Sequence, residues 1–123
     1  MGKRILIAED SSVILNLTKK ILLQLKYEIV AAKNGEEVLE KVEAEEIDLI
    51  LMDINIPKID GIECTKKIRA LTNTAKSSIP IFAITGNARN LTTEEFTAVG
   101  INEYVQKPID FDRLVDLVGK YTG

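Results

Sequence analysis

The chain contains no histidine, and its one cysteine is Cys64. It therefore lacks the commonest zinc ligand and the commonest general base, and a single cysteine cannot form a disulfide within the chain. No apolar run approaches the length of a membrane-spanning helix, and the first residues lack the long apolar segment of a signal peptide. We therefore expect a protein of the reducing cytoplasm that does not insert into membranes.

Basic side chains are also fewer than acidic ones. The 123 residues include 16 basic and 19 acidic side chains, for a formal net charge of −3. No basic stripe of the kind that binds a phosphate backbone is present, so we expect no direct contact with nucleic acid. A hydrophobic content of 46% is sufficient for one core, and we expect residues 1–123 to form a single domain.

Apolar runs of strand length alternate with amphipathic stretches along the whole chain, without a linker or repeat between them. This alternation is typical of a parallel sheet whose strands are connected by helices. The predicted strands are residues 4–8, 27–32, 48–52, 79–84 and 103–106.

Capping residues and glycines mark five helices in the intervening segments. Ser11 or Ser12 can cap the first, the pair Thr92 and Glu95 reads as a capping box, and Asp110 can cap the last. The predicted helices span residues 12–25, 34–46, 61–71, 92–100 and 110–121. Right-handed crossovers that cover both faces of apolar strands produce a doubly wound α/β sheet. We predict the flavodoxin-like strand order 2-1-3-4-5 with five helices.

Polar side chains occur where four of the predicted strands end. Glu9 and Asp10 follow the first strand, Asp53 the third, Thr85 the fourth and Lys107 the fifth. Parallel strands present their carboxyl ends at one edge of the sheet, and strands 1 and 3 flank the switch point of this strand order, so we expect these side chains to converge. Taken singly, each acid is also explained as a solvated strand-end residue or a helix N-cap.

Three carboxylates in one crevice repel each other, so a positive group is expected among them. Oxygen ligands of this kind suit Mg²⁺, which tends to share its site with a phosphoryl group. We expect Asp10 and Asp53 to be direct ligands, Glu9 to act through water, and the backbone carbonyl of Asn55 to supply a further oxygen.

The remaining strand-end residues match what an aspartyl phosphate requires. Lys107, followed by Pro108, can neutralise a phosphoryl oxygen, and Thr85 offers a hydroxyl donor. Gly86 leaves the backbone free to approach an oxyanion. An aspartate that forms an acyl phosphate needs Mg²⁺, a cation, hydrogen-bond donors and an open approach, and the sequence contains candidates for each.

Four motifs occur together at defined spacing: Glu9-Asp10, then Asp53-Ile54-Asn55-Ile56-Pro57 with Asp60-Gly61, then Thr85-Gly86, then Tyr104 three residues before Lys107-Pro108. With this combination the chain resembles the receiver domain of response regulators in two-component signalling, as in chemotaxis response regulators. The resemblance covers essentially the whole chain. Two departures are Glu9, where the family often has a second Asp, and Ile56, where Met is frequent, and neither threatens activity.

The resemblance implies that Asp53 accepts a phosphoryl group from a histidine on a partner kinase or phosphotransfer protein, while the two acids after the first strand hold Mg²⁺. It also implies that Thr85 and Lys107 bind the phosphoryl oxygens, and that Tyr104 changes rotamer as Thr85 moves. The change would alter the face formed by the fourth predicted helix, the fifth strand and the fifth predicted helix. That face would then regulate the binding of another protein, or the domain would relay the phosphoryl group onward. A phosphorylation-dependent dimer is left open.

The first helix offers a hypothesis about the phosphodonor surface. Wound at about 100° per residue, it places a core stripe at Ile14, Leu17, Ile21 and Leu25. In receivers this helix commonly meets the donor, so we expect a docking patch of Leu15, Leu22, Pro108 and Phe111. A broader core stripe explains the two leucines of this patch about equally well.

Three classes of function follow from these residues. The leading one is a phosphorylation switch that is not an enzyme beyond its own Mg²⁺-dependent phosphorylation and dephosphorylation. A Mg²⁺-dependent phosphatase with Asp53 as nucleophile is the alternative, although such enzymes place a second acid where this chain has Asn55. An interaction module that is never phosphorylated is the third class.

Overall fold

The structure, a computed structural model of the chain, describes residues 3–56, 58–86 and 93–122. The strands are β1 (Arg4–Ala8), β2 (Glu28–Ala32), β3 (Leu49–Asp53), β4 (Ile81–Thr85) and β5 (Glu103–Gln106). The helices are α1 (Ser12–Gln24), α2 (Gly35–Ala44), α3 (Gly61–Arg69), α4 (Thr74–Ser77), α5 (Thr93–Val99) and α6 (Phe111–Thr122). None of the helices in the described ranges is long and apolar enough to cross a membrane.

The strands form one parallel sheet in the order β2-β1-β3-β4-β5, which confirms the predicted topology. β1 lies between β2 and β3, with Ala8 paired with Met52, and Asp53 at the end of β3 pairs with Ile84 of β4. The chain leaves the sheet in opposite directions from β1 and β3, so a crevice opens at their carboxyl ends. This crevice is where the candidate site lies.

Helices cover both faces of the sheet, and a separate apolar cluster lies on each face. One cluster joins the strands to Val38 of α2, Cys64 of α3 and Phe96 of α5. The other joins the alternate strand positions to Leu22 of α1 and Leu114 of α6. Because helices cover both sides, every residue of β3 and β4 is buried, and these strands read as continuous apolar runs in the sequence.

Side-chain caps define where four of the longer helices begin. Ser11, Asn34, Asp60 and Asp110 each accept a hydrogen bond from the backbone N–H three residues later, at 2.8 to 3.4 Å. These bonds satisfy N–H groups that have no partner within the helix, which is why short polar residues predict helix starts well. The capping box predicted at Thr92 lies outside the described residues.

One helix in the described residues was not predicted. The four-residue α4 lies between α3 and β4, and the Asn73 side chain caps it by accepting from the N–H groups of Ala75 and Lys76 at 3.0 and 3.4 Å. It has no buried residue. A single turn of this kind has no apolar periodicity, so the pattern that revealed the longer helices could not reveal it.

The buried stripe of α1 differs from the prediction. Leu15, Thr18 and Leu22 are its buried residues, whereas Leu17 is 47% exposed and Leu25, just beyond the helix, is 46% exposed. Apolar residues occur on most sides of this helix, so hydrophobicity alone does not determine which side faces the sheet. The packing of α1 beside α6 on the sheet selects the observed side.

Candidate functional site

Buried acids and a lysine from three strand ends meet in the crevice. Asp53 ends β3, Glu9 directly follows β1, and Lys107 directly follows β5. Both carboxylates are 3% exposed, whereas Asp10 lies exposed at the rim. The parallel register explains their proximity, because it aligns the carboxyl ends of neighbouring strands.

The Lys107 ammonium lies between the two buried carboxylates. Its Nζ is 3.1 Å from Oδ2 of Asp53 and 3.4 Å from Oε1 of Glu9. The other carboxylate oxygens accept from the backbone: Oδ1 of Asp53 from the Asn55 N–H at 2.9 Å, and Oε2 of Glu9 from the Ser11 N–H at 3.2 Å. Both side chains are thus held at both oxygens.

Burial and mutual repulsion change the electrostatics of these groups. Burial, followed by the adjacent Asp53, raises the pKa of Glu9 to about 7, although the Ser11 N–H and Lys107 act in the opposite direction. Burial alone lowers the pKa of Lys107, but the hydrogen bond and charge of Asp53, together with Glu9, raise it above its ordinary value. The lysine therefore stays charged, and it compensates the acids only in part.

The three acids fit a metal site. Oxygen atoms of Glu9, Asp10 and Asp53 all lie within 4.8 Å of one another. An all-oxygen, carboxylate-rich donor set suits a hard divalent cation such as Mg²⁺, and the exposed rim at Asp10 leaves access for the waters that Mg²⁺ retains. A divalent cation at this position would also compensate the negative charge of the buried acids.

Thr85 and Gly86 lie beside this group at the end of β4. Thr85 is 1% exposed, and its carbonyl accepts from the Lys107 N–H at 2.7 Å, which ties the ends of β4 and β5 together. A Cβ added at Gly86 would lie 3.8 Å from Cδ of Lys107, an ordinary contact, so packing does not require glycine there.

Tyr104 lies on β5, two residues before the strand ends. Its half-buried ring stacks on the ring of Phe96 from α5, with centroids 5.4 Å apart and planes inclined by 17°. Phe96 was not among the residues singled out in the sequence, because a single aromatic in an amphipathic helix indicates only a core position.

The predicted docking patch requires correction. Leu15 is 8% exposed and Leu22 is fully buried, because both pack between α1 and the sheet, so neither can contact a partner. Pro108 is exposed and Phe111 half-buried, and their role in docking stays a prediction. A largely apolar groove of about 230 Å³ does lie beside the crevice, and its lining residues are Val13, Ile14, Leu17, Lys107, Pro108, Ile109 and Phe111.

Gly61 fixes the loop after Asp53 by close packing. A Cβ at this position would lie 2.8 Å from the Asp53 carbonyl oxygen and 2.8 Å from Cα of Ile54. The Gly61 N–H donates to the Ile54 carbonyl at 3.0 Å. The start of α3 is therefore held directly against the segment that carries Asp53, which explains the glycine seen in the sequence motif.

The chain is similar to receiver domains, both as a sequence and as a structure. The sequence model described as the response regulator receiver domain matches residues 5–119. Among solved structures, the receiver domain of a sensor histidine kinase from Pseudomonas aeruginosa is 30% identical, with a TM-score of 0.87 and 98% of each chain covered. That receiver domain has a magnesium ion coordinated in its active site cleft.

Curated relatives differ greatly in length. The chain is 38% identical over 119 residues to the CAI-1 autoinducer sensor kinase/phosphatase CqsS of Vibrio cholerae, covering 97% of this chain and 17% of that protein. It is 31% identical over 123 residues to the polar-differentiation response regulator DivK of Brucella anthropi, covering 100% of this chain and 98% of DivK. It spans 13 to 17% of the length of the sensor and histidine kinases that it matches.

Proposed function

The chain belongs to the response regulator receiver domain family, and we propose that it is a phosphorylation-dependent switch of a two-component or phosphorelay system. In this proposal residues 1–123 act as one receiver domain in the cytoplasm. The observation that supports it best is the buried Asp53 carboxylate, which lies 3.1 Å from the Lys107 ammonium and is grouped with two further acids.

Asp53 is the phosphoryl acceptor in this mechanism. One of its carboxylate oxygens attacks the phosphorus of a phosphohistidine on the donor protein, and a P–O bond forms as the P–N bond breaks. The bonding electrons leave with the imidazole nitrogen. The Asn55 N–H and Lys107 hold the two Asp53 oxygens, so the carboxylate is oriented before the donor arrives. Lys107 can then pass from the carboxylate to a phosphoryl oxygen as the negative charge moves.

Glu9, Asp10 and Asp53 would hold Mg²⁺, with the backbone carbonyl of Asn55 as a further ligand. When bound, Mg²⁺ withdraws charge from the transferring phosphoryl group and stabilises its developing negative charge. Glu9 and Asp53 also keep Lys107 charged, and Asp10 leaves the entrance to the crevice open because it lies at the exposed rim.

The acyl phosphate then drives the conformational change. It adds about −1.5 to −2 charge at neutral pH and three acceptor oxygens. Thr85, the Gly86 backbone and Lys107 bind these oxygens, and Tyr104 follows Thr85. Shifting the switch from 1% to 99% active requires a preference of roughly 5.5 kcal/mol, which a few charge-assisted hydrogen bonds of about 1.5 to 3 kcal/mol each can supply. The surface that changes consists of α5, β5 and α6.

The partners are a histidine kinase or a histidine phosphotransfer protein, and a downstream protein that reads the switch. We place the donor in the groove beside the crevice, with Val13 and Leu17 of α1 in place of the buried leucines, together with Pro108 and Phe111. Val13 is 75% exposed and Leu17 47% exposed, and both line the apolar groove, so they belong to a contiguous apolar patch that favours a contact surface. In the same proposal, two phosphorylated copies associate through the surface formed by α5, β5 and α6.

Intact-protein mass spectrometry tests the proposal. We expect the wild type to gain one phosphoryl group from phosphoramidate or acetyl phosphate in Mg²⁺, and to gain none in excess chelator. Asp53→Asn should gain none under either condition, because the amide is not nucleophilic. Asp116→Asn, which changes an exposed aspartate on α6, is the matched control and should behave like the wild type.

A phosphoryl gain that persists in Asp53→Asn would contradict the assignment of the acceptor. No gain by a folded wild type, together with no binding of beryllofluoride, would contradict the switch altogether. Sustained turnover of a phosphate ester would instead support the phosphatase alternative.

A further inference from the structure

The ring of Tyr104 stacks on an aromatic ring that belongs to a different element. Phe96 projects from α5 and is 3% exposed, whereas Tyr104 lies half-buried on β5 at the edge of the sheet. Their rings are nearly parallel, with an interplanar angle of 17° and a centroid separation of 5.4 Å. The stack therefore links the position of the tyrosine ring to that of the helix above it.

The sheet register places Tyr104 relative to Thr85. Tyr104 pairs with Ala83 of β4, and Thr85, two residues further along β4, lies on the same face of the sheet as Ala83. Opposite Tyr104, β4 thus presents only the methyl group of Ala83. Phe96 packs on this same face, so a ring that moves along it toward Thr85 changes its contact with Phe96.

We infer that Phe96 is a positioning residue that holds Tyr104 in the orientation seen here and so opposes the switch toward the phosphorylated conformation. This inference rests on the proposed function, in which Tyr104 moves with Thr85. A stacked aromatic pair changes an equilibrium by about two- to ten-fold beyond the effect of its buried area. Loss of the stack should therefore raise the fraction of active conformation by a similar factor, and raise the affinity for a phosphoryl analogue by up to the same factor.

Titration of Phe96→Leu with beryllofluoride in Mg²⁺ tests the inference. Leucine keeps the site apolar and removes the ring, and Phe96→Met serves if the leucine variant folds poorly. We expect beryllofluoride to bind about two- to ten-fold more tightly than to the wild type. Phe82→Leu is the matched control, because Phe82 pairs with Tyr121 on the opposite face of the sheet, and its affinity should equal that of the wild type.

A readout without any ligand separates positioning from packing. The NMR signals of the Tyr104 ring, assigned with Tyr104→Phe, should shift in ligand-free Phe96→Leu toward those of the wild type saturated with beryllofluoride. In a Tyr104→Leu background, Phe96→Leu should leave the affinity for beryllofluoride unchanged, because the residue that it positions is gone.

Equal or weaker binding by Phe96→Leu would overturn the inference, as would a gain in affinity that survives in the Tyr104→Leu background. Equal binding would mean that Phe96 packs alike in the two conformations, and weaker binding that it favours the active one. A gain that survives in the Tyr104→Leu background would mean that Phe96 acts through a contact other than Tyr104. Failure of the folded wild type to bind beryllofluoride in Mg²⁺ would overturn the proposed function, and this inference with it.

Discussion

Burial acts on individual ionisable side chains in this protein in two different ways. Glu9 and Asp53 are buried, but both carboxyl groups contact the ammonium group of Lys107. Cys64 is buried in the apolar cluster beneath α2 and α3, where its thiol donates only weak hydrogen bonds to the Gly35 and Ile59 carbonyls at 3.5 and 3.6 Å. Burial, aided by nearby acids, raises the pKa of this thiol to about 11.

The raised pKa of Cys64 predicts a loss of stability at high pH. The thiol of the unfolded chain ionises near its ordinary value of 9.0, while that of the folded protein stays protonated up to about 11. Between these values the folded state binds more protons, so its stability falls as pH rises, by up to about 1.4 kcal/mol per pH unit. The stabilisation is complete below pH 9.0 and lost above about 11.

The measurement compares the free energies of unfolding of wild type and Cys64→Ala in urea under reducing conditions. The difference between the two proteins should change by about 2 kcal/mol between pH 8 and pH 11.5, to the disadvantage of the wild type. Other titrating groups are common to both proteins and cancel. A difference that is constant across this range would show that the folded environment does not suppress ionisation of the thiol.

At the scale of elements, the C-terminal end of α1 bears on stability, whereas its exposed side belongs to the proposed docking surface. The helix ends in a Schellman motif, in which the Lys26 N–H donates to the Leu23 carbonyl at 3.0 Å and the Tyr27 N–H to the Leu22 carbonyl at 3.2 Å. Lys26 has a φ of 74°, in the left-handed region that favours glycine. The hydrogen bonds that end the helix are therefore formed, but the backbone at Lys26 is strained.

Replacing this lysine with glycine should stabilise the fold. Lys26→Gly removes the Cβ that disfavours a left-handed conformation, and we expect the free energy of unfolding to rise by about 0.5 to 1 kcal/mol. Lys20→Gly, at an exposed position inside the same helix, is the control and should lower it by about 1 kcal/mol. Urea denaturation measures both, and a loss of stability in Lys26→Gly would contradict the argument from backbone strain.

The exposed side of α1 provides the test of donor docking. Leu17 and Leu23 are both 47% exposed on this helix, but only Leu17 lines the groove beside the crevice. We expect Leu17→Ala to slow phosphotransfer from a histidine donor about five- to ten-fold, because an apolar contact with the donor is lost. Leu23→Ala should have no effect. The donor is the kinase or phosphotransfer protein that phosphorylates the wild type fastest.

Phosphorylation by acetyl phosphate separates docking from chemistry in these variants. Both should react with it at the wild-type rate, since neither leucine contacts Asp53 in the proposed mechanism. Equal slowing of donor phosphotransfer in Leu17→Ala and Leu23→Ala would remove the groove from the docking surface.

At the scale of the whole molecule, the sheet topology concentrates negative charge at one point. The topological switch point between β1 and β3 brings Glu9, Asp10 and Asp53 together in a protein whose net charge is −3. Folding therefore works against the repulsion among these acids, and a ligand that binds this group only in the folded protein should stabilise the entire domain.

Mg²⁺ should accordingly raise the free energy of unfolding of the wild type. At a concentration about 100 times its dissociation constant, the expected gain is about 2.7 kcal/mol, and excess chelator should abolish it. Asp10→Asn should reduce the gain because a proposed ligand is lost, whereas Asp116→Asn should keep it. Thermal unfolding with and without Mg²⁺ measures these effects, and a wild type indifferent to Mg²⁺ would contradict the metal site.

The order of the elements and the topology of the sheet could be predicted from the sequence. Strand runs, helix caps such as Ser11 and Asp110, and the alternation of strands and helices are local or periodic signals, so they are legible without the fold. Strand ends in a parallel sheet share one edge, and for this reason the neighbourhood of Asp53 and Lys107 was also predictable. The short α4 was not, because one helical turn has no period.

The sequence by itself determined the strands and helices and the polar residues at the strand ends, since the alternation of the two patterns shows where each strand stops. The parallel sheet and its strand order follow from right-handed crossovers that cover both of its faces. Only the tertiary structure decided that α1 buries Leu15 and Leu22 and exposes Leu17, that Lys107 lies between two carboxylates, and that Phe96 stacks on Tyr104. Each of these depends on how elements distant in sequence pack together. Packing is a property of the assembled core, and hydrophobicity alone does not encode which of several apolar sides meets which neighbour.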